Sequence, residues 1–481
     1  MNSYTLPSDV SIEFVEQMYR LYLQNPEGLD PGWVWFFKGF ELAASGQNSG
    51  MASSATQKEF DVLRLIHAYR QRGHLFTQTN PVRQRRKYLP TLDIQNFNLD
   101  TKDLDQSFEA GTEVGIGKTK LSEIIAHLQY IYCRSVGVEY LYIRNPEEVS
   151  WLQRRLELVQ NRPVFSNSER WNIFSHLARA VGFEDFIQKR FVGQKRFSLE
   201  GAEALIPALD TIIEHGAAGE VSEIVMAMAH RGRLNVLANI FRKPYENIFS
   251  EFMGTSYSGE IVQGDVKYHL GHTGELTSHE GKKIKVSLVP NPSHLEMAGA
   301  VAEGITRGKL EKEYKQSFKK IIPVVIHGDA AVAAQGIVYE TIQMSQLEGY
   351  KTGGTIHIVI NNQVGFTTNY TEGRSSTYCT DVAKVTRCPV FHINGDDVEA
   401  VVFAVKMAID YRQKFHNDVF IDLLCYRKHG HNEGDEPRFT QPVLYKAISV
   451  HPDPATIYAK TLIESHIATP GEIESIRVQI A

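Results

Sequence analysis

From about Ser166 to Tyr445 the chain alternates between two textures, and this constrains its fold more than any other feature. Short apolar runs stand at 222–229 ("SEIVMAMA"), 321–326 ("IIPVVI"), 355–360 ("TIHIVI"), 389–393 ("PVFHI") and 419–426 ("VFIDLLCY"). Segments of helical periodicity separate them, at "LNVLANIF", at about 335–348 and at about 397–414. Strands apolar throughout, rather than at every second residue, are buried on both faces, as in parallel sheets covered by helices. The expected architecture is α/β: a doubly wound, mainly parallel sheet. Asp396 and Asp397 are placed to cap the last of the three helices.

Outside that region the pattern differs. A chain of 481 residues is too long for one ordinary core, so several domains are expected. Residues 58–165 read as a helical domain, through "EFDVLRLIHAYRQRG", "TKLSEIIAHLQYIYCRS" and "PEEVSWLQRRLELVQ". Within it "RQRGHLF", Arg70 to Phe76, reads as a solvated charged face. Residues 44–57 are small, polar and nearly charge-free, which suits a flexible linker. Residues 1–43 hold a helical stripe (Ile12, Val15, Met18 or Tyr19, Tyr22) and the aromatic-rich "NPEGLDPGWVWFFKGF". Two roles fit them: a helix docked on the body, or a recognition segment for a partner. Residues 446–481 end in "TPGEIESIRVQIA", where Thr469, Pro470 and Glu472 start a helix and Ile473, Ile476 and Ile480 give it an apolar stripe.

Composition excludes some functions. Net charge is −5, with both signs mixed along the chain, so there is no general pull toward nucleic acid or anionic lipid. No apolar run approaches the roughly 20 residues that span a bilayer. The opening "MNSYTLPSDVSIEF" has no basic start and no apolar run, so no secretory signal is expected in it. Cys133, Cys379, Cys388 and Cys425 form no C-x-x-C pair, which suits a reducing cytoplasm.

Four of the strands run into polar text: "HRGR" (230–233), "HGDAA" (327–331), "NNQVGFTTN" (361–369) and "RKHGHNEGDEP" (427–437). A parallel sheet gathers all four at the edge where such folds bind ligands. Asp329 and Asn362 offer oxygen ligands of the kind Mg²⁺ or Ca²⁺ takes. The small residues after Asp329 let backbone N–H groups approach an anion closely. Arg231 and the histidines add donors. A metal-bridged diphosphate fits this set; a helix cap fits Asp329 equally well.

Gly328-Asp329, then 32 residues, then Asn362 resembles the metal–diphosphate motif of thiamine diphosphate enzymes, with Ala330 in place of the usual second glycine. "RFSLEGAEALIP", "MAHRGRLNVLAN", "GDVKYHLG", "NPSHLE", "HGDAAVAAQG", "INNQVGFTT" and "YRKHGHNEGDEP", in that order, resemble one family closely. It is the thiamine diphosphate-dependent, decarboxylating component of the 2-oxoglutarate dehydrogenase complex, in which the "HGDAA" form is usual. "YRQRGHLFTQTNP" and "GVEYLYI…EEVSWLQRRLE" resemble its helical domain, and the first 43 residues its N-terminal segment, which implies docking to the acyltransferase component.

The resemblance implies site residues. Asp329, Asn362 and the backbone carbonyl of Val364 would hold Mg²⁺. Arg231 and the backbone of Ala330 and Ala331 would touch the diphosphate, and Leu295 would press beneath the cofactor. His230, His269 and Ser293 would contact the 2-oxo acid, with the two histidines' roles unassigned. His429 or His431 would sit near the diphosphate, and His294 is as easily structural. The reaction implied is decarboxylation of 2-oxoglutarate with succinyl transfer to a lipoyl group, in a homodimer working with the acyltransferase and dihydrolipoyl dehydrogenase components. Alternatives are 2-oxoadipate as substrate, a 2-oxoglutarate decarboxylase, or a truncated binding module. In the family a pyrimidine-binding domain carrying an activating glutamate follows this region. The 481 residues are therefore expected to be the N-terminal half of a longer protein, inactive alone, with residues 446–481 beginning a connector.

Overall fold

The structure, a computed structural model, describes residues 12–29, 33–34, 36–37, 40–41, 52–83, 86–161, 164–253 and 267–480. The chain separates into two compact units: Met1–Thr77 with Arg86–Arg162, and Gln78–Arg85 with Pro163–Ala481.

The smaller unit is built on helices Ile12–Gln24, Ala52–Arg72, Leu121–Tyr132 and Pro146–Leu158, with a short antiparallel pairing of Ser107–Phe108 with Thr119–Lys120. The N-terminal helix buries its apolar stripe at home. Val15, Tyr19 and Tyr22 form a cluster with Phe37 and Phe60, and the rings of Tyr19 and Phe60 lie 5.7 Å apart. Docking on its own unit, one of the two roles anticipated for this segment, is thus observed for the helix. The expected linker is only partly within view: residues 44–51 lie outside the described residues, and Ala52–Gln57 begin the long helix instead. Alanine tolerates a helix as readily as a loop, and composition alone does not separate the two. The solvated face expected at 70–76 is also corrected. Arg70 and His74 are buried, and Arg70 donates to Glu157 at 2.8 and 3.1 Å and to Glu113 at 2.9 Å.

In the larger unit seven strands matter: β1 (Glu223–Met228), β2 (His272–Thr277), β3 (Lys283–Leu288), β4 (Ile321–Gly328), β5 (Ile356–Asn361), β6 (Val390–Asn394) and β7 (Val419–Leu424). Their hydrogen-bonded order is β6-β7-β5-β4-β1-β3-β2. All neighbours are parallel except β2 and β3. The five anticipated strands are β1, β4, β5, β6 and β7. The β2–β3 pair was not anticipated: exposed Thr273, Glu275, Lys283 and Lys285 break its apolar signal. The helices that bear on the site are α1 (Asn167–Arg190), α2 (Arg233–Asn239), α3 (Met297–Lys312), α4 (Asp329–Ala334) and α5 (Val398–Phe415). Asp397 caps α5 as expected, accepting from Ala400 N at 3.2 Å. Ala298, Ala302 and Leu310 of α3 pack on Val225, Ala227, Ile321 and Val325 of β1 and β4. The last helix, Pro470–Ile480, starts with the anticipated reciprocal cap. Glu472 N donates to Thr469 Oγ1 at 3.3 Å, and Glu472 Oε2 accepts from Thr469 N at 2.8 Å.

Candidate active site at the carboxyl ends of the strands

Register fixes which residues meet. Met228 lies opposite Ile326, Gly328 opposite Ile360, and Asn361 opposite Leu424. The polar segments after β1, β4, β5 and β7 therefore leave the sheet from one edge.

Asp329 follows β4 and opens α4. It is only 2% exposed, and its Oδ2 accepts no hydrogen bond. The nearest cation is Arg374, with Nη1 at 3.5 Å. Burial pushes the Asp329 carboxyl up to about 6, against the opposing pull of Arg374. Just after β5 Asn362 is buried and its Oδ1 accepts from Val364 N at 3.3 Å. Between them Gln363 takes a left-handed φ of 68°. Its side chain fixes that turn, donating to Cys425 O at 3.0 Å and accepting from Asn80 at 2.7 Å. The turn presses against α4: a Cβ on Gly365 would stand 2.7 Å from the Cβ of Ala330. Glycine is needed there for close approach. The result is a buried carboxylate and a buried amide on touching loops, with Ala330 exposed beside them. A carboxylate oxygen without a hydrogen bond at such depth is costly unless a cation or proton compensates it, and Arg374 does so only in part, since the carboxyl is still pushed up. A hard cation with oxygen ligands meets that need, so these residues fit a Mg²⁺ site.

A second group lies after β1 and around β3. Gly232, at φ 74°, turns the chain there, and a Cβ on it would strike Leu199 at 2.5 Å. This turn presents His230. Its Nδ1 lies 2.7 Å from Asn291 Nδ2, and its ring stands 5.2 Å from that of His269 and 6.0 Å from Tyr268. Ser293 Oγ is 3.2 Å from His269 Nε2. His431 joins through Phe197, whose ring lies 5.4 Å from both His230 and His431. Burial first, then the neighbouring His269 and Arg233, push His230 down to about 4. Burial and the adjacent Arg231 and Arg427 bring His431 to about 4 also. Both rings are thus neutral at pH 7.

The structure brings His230, His269 and Ser293 together, and Asp329, Asn362 and Val364 together. Other anticipated residues are placed differently. The Arg231 guanidinium donates to the carbonyls of Ser198 at 3.2 Å and His431 at 2.8 Å. Leu295 is 42% exposed in the loop before α3, and His294 beside it is exposed. His429 is held by Glu200 at 2.8 Å, which also accepts from Lys428 at 2.7 Å and Arg196 at 3.1 Å. Of the two histidines in that loop, His431 is the one beside His230. Sequence reading missed Arg374, and it missed Arg427, which ties the carbonyls of Phe366 and His429 at 3.1 Å. It also missed Asn291, although two flanking prolines marked that position.

A family model described as "Dehydrogenase E1 component" matches residues 175–481, and another, "2-oxoglutarate dehydrogenase N-terminus", matches residues 8–44. The chain belongs to the dehydrogenase E1 component family. Among curated relatives of this E1 chain, the 2-oxoglutarate dehydrogenase E1 component of Azotobacter vinelandii is 41% identical over 96% of this chain and 52% of its own length. That of Haemophilus influenzae is 40% identical over the same shares. The multifunctional 2-oxoglutarate metabolism enzyme of Mycolicibacterium vanbaalenii is 48% identical over 85% of this chain and 34% of its own length. The chain thus spans about half, or less, of the length of these E1 relatives.

Proposed function

We propose that this chain carries the diphosphate- and metal-holding part of a thiamine diphosphate-dependent enzyme on a doubly wound sheet. The enzyme decarboxylates 2-oxoglutarate and passes the succinyl unit to a lipoyl group. The observation that carries this reading is the buried Oδ2 of Asp329, which accepts no hydrogen bond and has only Arg374 Nη1 at 3.5 Å, at the start of a helix that touches the loop of Asn362 and Val364. Asp329, Asn362 and the Val364 carbonyl would hold Mg²⁺, with Ala330 and Ala331 leaving room for phosphoryl oxygens. Arg231 has donors left after its two carbonyl bonds. Bound thiamine diphosphate would supply the electron sink for the carbanion left when CO₂ departs.

The chain's own residues would do the binding and orienting. His230 and His269 face a substrate as hydrogen-bonding rings, a suitable pair for an oxo group and a carboxylate. The Ser293 hydroxyl adds one more partner. The names of the relatives favour 2-oxoglutarate over 2-oxoadipate. The proposal extends to a cytoplasmic homodimer served by the acyltransferase and dihydrolipoyl dehydrogenase components. No helix among the described residues is long and apolar enough to cross a membrane.

Calorimetric titration with thiamine diphosphate tests the reading. Binding should require Mg²⁺ and weaken at least about tenfold in Asp329→Asn. Metal-independent binding, or equal affinity in the variant, would overturn the assignment. Turnover of 2-oxoglutarate against 2-oxoadipate with an artificial electron acceptor, in a protein of the relatives' full length, then checks the substrate.

A further inference from the structure

We infer that Asn291 is a positioning residue: its side-chain amide holds His230 as the neutral tautomer with the proton on Nε2, making His230 a hydrogen-bond donor to the substrate. The inference rests on the reading of this pocket as the 2-oxo acid site.

Asn291 stands between Pro290 and Pro292, so its own backbone and that of Val289, each of which precedes a proline, are kept extended. The residue is only 4% exposed, and its N–H donates to the carbonyl of His269 at 2.9 Å. From underneath, Arg233 is completely buried. It donates to Met228 O at 3.0 Å, Leu270 O at 2.8 Å and Val289 O at 2.7 Å. These carbonyls lie two residues before His230, one after His269 and two before Asn291. One guanidinium therefore pins all three segments, and the Asn291 amide is delivered to a fixed point.

At that point Nδ2 meets His230 Nδ1 at 2.7 Å. An amide nitrogen only donates, so Nδ1 must accept. A neutral imidazole has one N–H, and it then falls on Nε2. The surroundings keep the ring neutral, since Arg233, Lys195 and the other two histidines oppose a charge there. Nε2 has no hydrogen-bond partner among the described residues, so its N–H is available to an incoming acceptor. His269 differs: its Nε2 is next to a hydroxyl, which can donate or accept, so its tautomer is not set by Ser293. This separates the two histidines. His230 is a committed donor, suited to the oxo or carboxylate oxygen of a 2-oxo acid.

The test is long-range ¹H–¹⁵N correlation on the full chain with labelled histidine rings, the His230 signals being assigned by their loss in His230→Gln. At pH 7 the wild type should show a pyridine-type Nδ1 and a pyrrole-type Nε2. In Asn291→Asp the new carboxylate can only accept. The proton should move to Nδ1, and the proton affinity of His230 should rise about tenfold or more. A pyrrole-type Nδ1, or an imidazolium, in the wild type would overturn the inference, and that measurement stands even where the variant fails to fold. Addition of 2-oxoglutarate with Mg²⁺ and thiamine diphosphate separates the inference from the reading beneath it. A shifted Nε2 signal supports both. An unchanged Nε2 signal with the expected tautomer leaves the positioning role in place but removes this pocket as the 2-oxo acid site.

Discussion

Two sets of histidines share the larger unit, and their partners divide them. His327, His357 and His392 lie inside strands and are buried, each facing an acid. His327 Nδ1 is 2.6 Å from Glu296, His357 Nε2 is 3.8 Å from Asp418, and His392 Nδ1 is 2.7 Å from Asp422. His327 and His357 also touch each other, at 3.0 Å. The second set, His230, His269 and His431, stands at the strand ends, where Asn291 and Ser293 are the side-chain partners of the first two. A carboxylate commits a buried ring to one partner and one orientation. An amide or hydroxyl orients a ring without adding charge, which leaves a nitrogen to be used by a ligand. Partner chemistry thus distinguishes the strand histidines from His230 at the strand ends, where residue type alone does not.

The largest effect should come from breaking the buried set. Asp422 is completely buried and accepts from Asn361 Nδ2 at 2.8 Å as well as facing His392. Asp422→Ala strands both partners in the sheet and should cost about 3–5 kcal/mol, read as a lower thermal midpoint. Loss of less than about 1 kcal/mol would show that His392 and Asn361 find other partners, and the division drawn here would fail.

The edge set should show itself in acid. His230 is pushed down to about 4 when folded, from the ordinary 6.5. As pH falls the unfolded chain takes up this proton first. The stability tied to the neutral ring is therefore complete above 6.5 and is lost as pH falls toward 4. His230→Gln removes that proton uptake. Urea midpoints of the variant should fall less steeply between pH 6.5 and 4, by about 1–2 kcal/mol in all after discounting for the ring's partial exposure. Parallel curves for variant and wild type would mean that the folded ring titrates as it does in water.

Much of this arrangement was legible in the sequence, for identifiable reasons. Strands that are mostly apolar on both faces announce parallel neighbours, and parallel neighbours place Asp329 and Asn362 on one edge without further information. The β2–β3 pair escaped because half its residues are solvated. Arg374 escaped because its approach to Asp329 depends on the path of a loop, which no periodicity encodes. The choice between His429 and His431 was equally out of reach. They are two residues apart, and what turns one away is a carboxylate, Glu200, that comes from 229 positions earlier.

The smallest effect on stability should be at Ser293, where the comparison can be sharpened most. Its hydroxyl is exposed and reaches His269 Nε2 at 3.2 Å. An exposed hydrogen bond of this kind adds little to folding, so Ser293→Ala should move the thermal midpoint by no more than about 0.5 kcal/mol allows. If the hydroxyl serves only to hold the ring, 2-oxoglutarate binding should change as little. If it also contacts substrate, the affinity should fall several-fold, for about 1 kcal/mol of lost hydrogen bonding, with folding untouched. The proposed site requires the second result. The same change at the partner of a strand histidine cannot separate the two quantities, because there the partner and the fold are lost together.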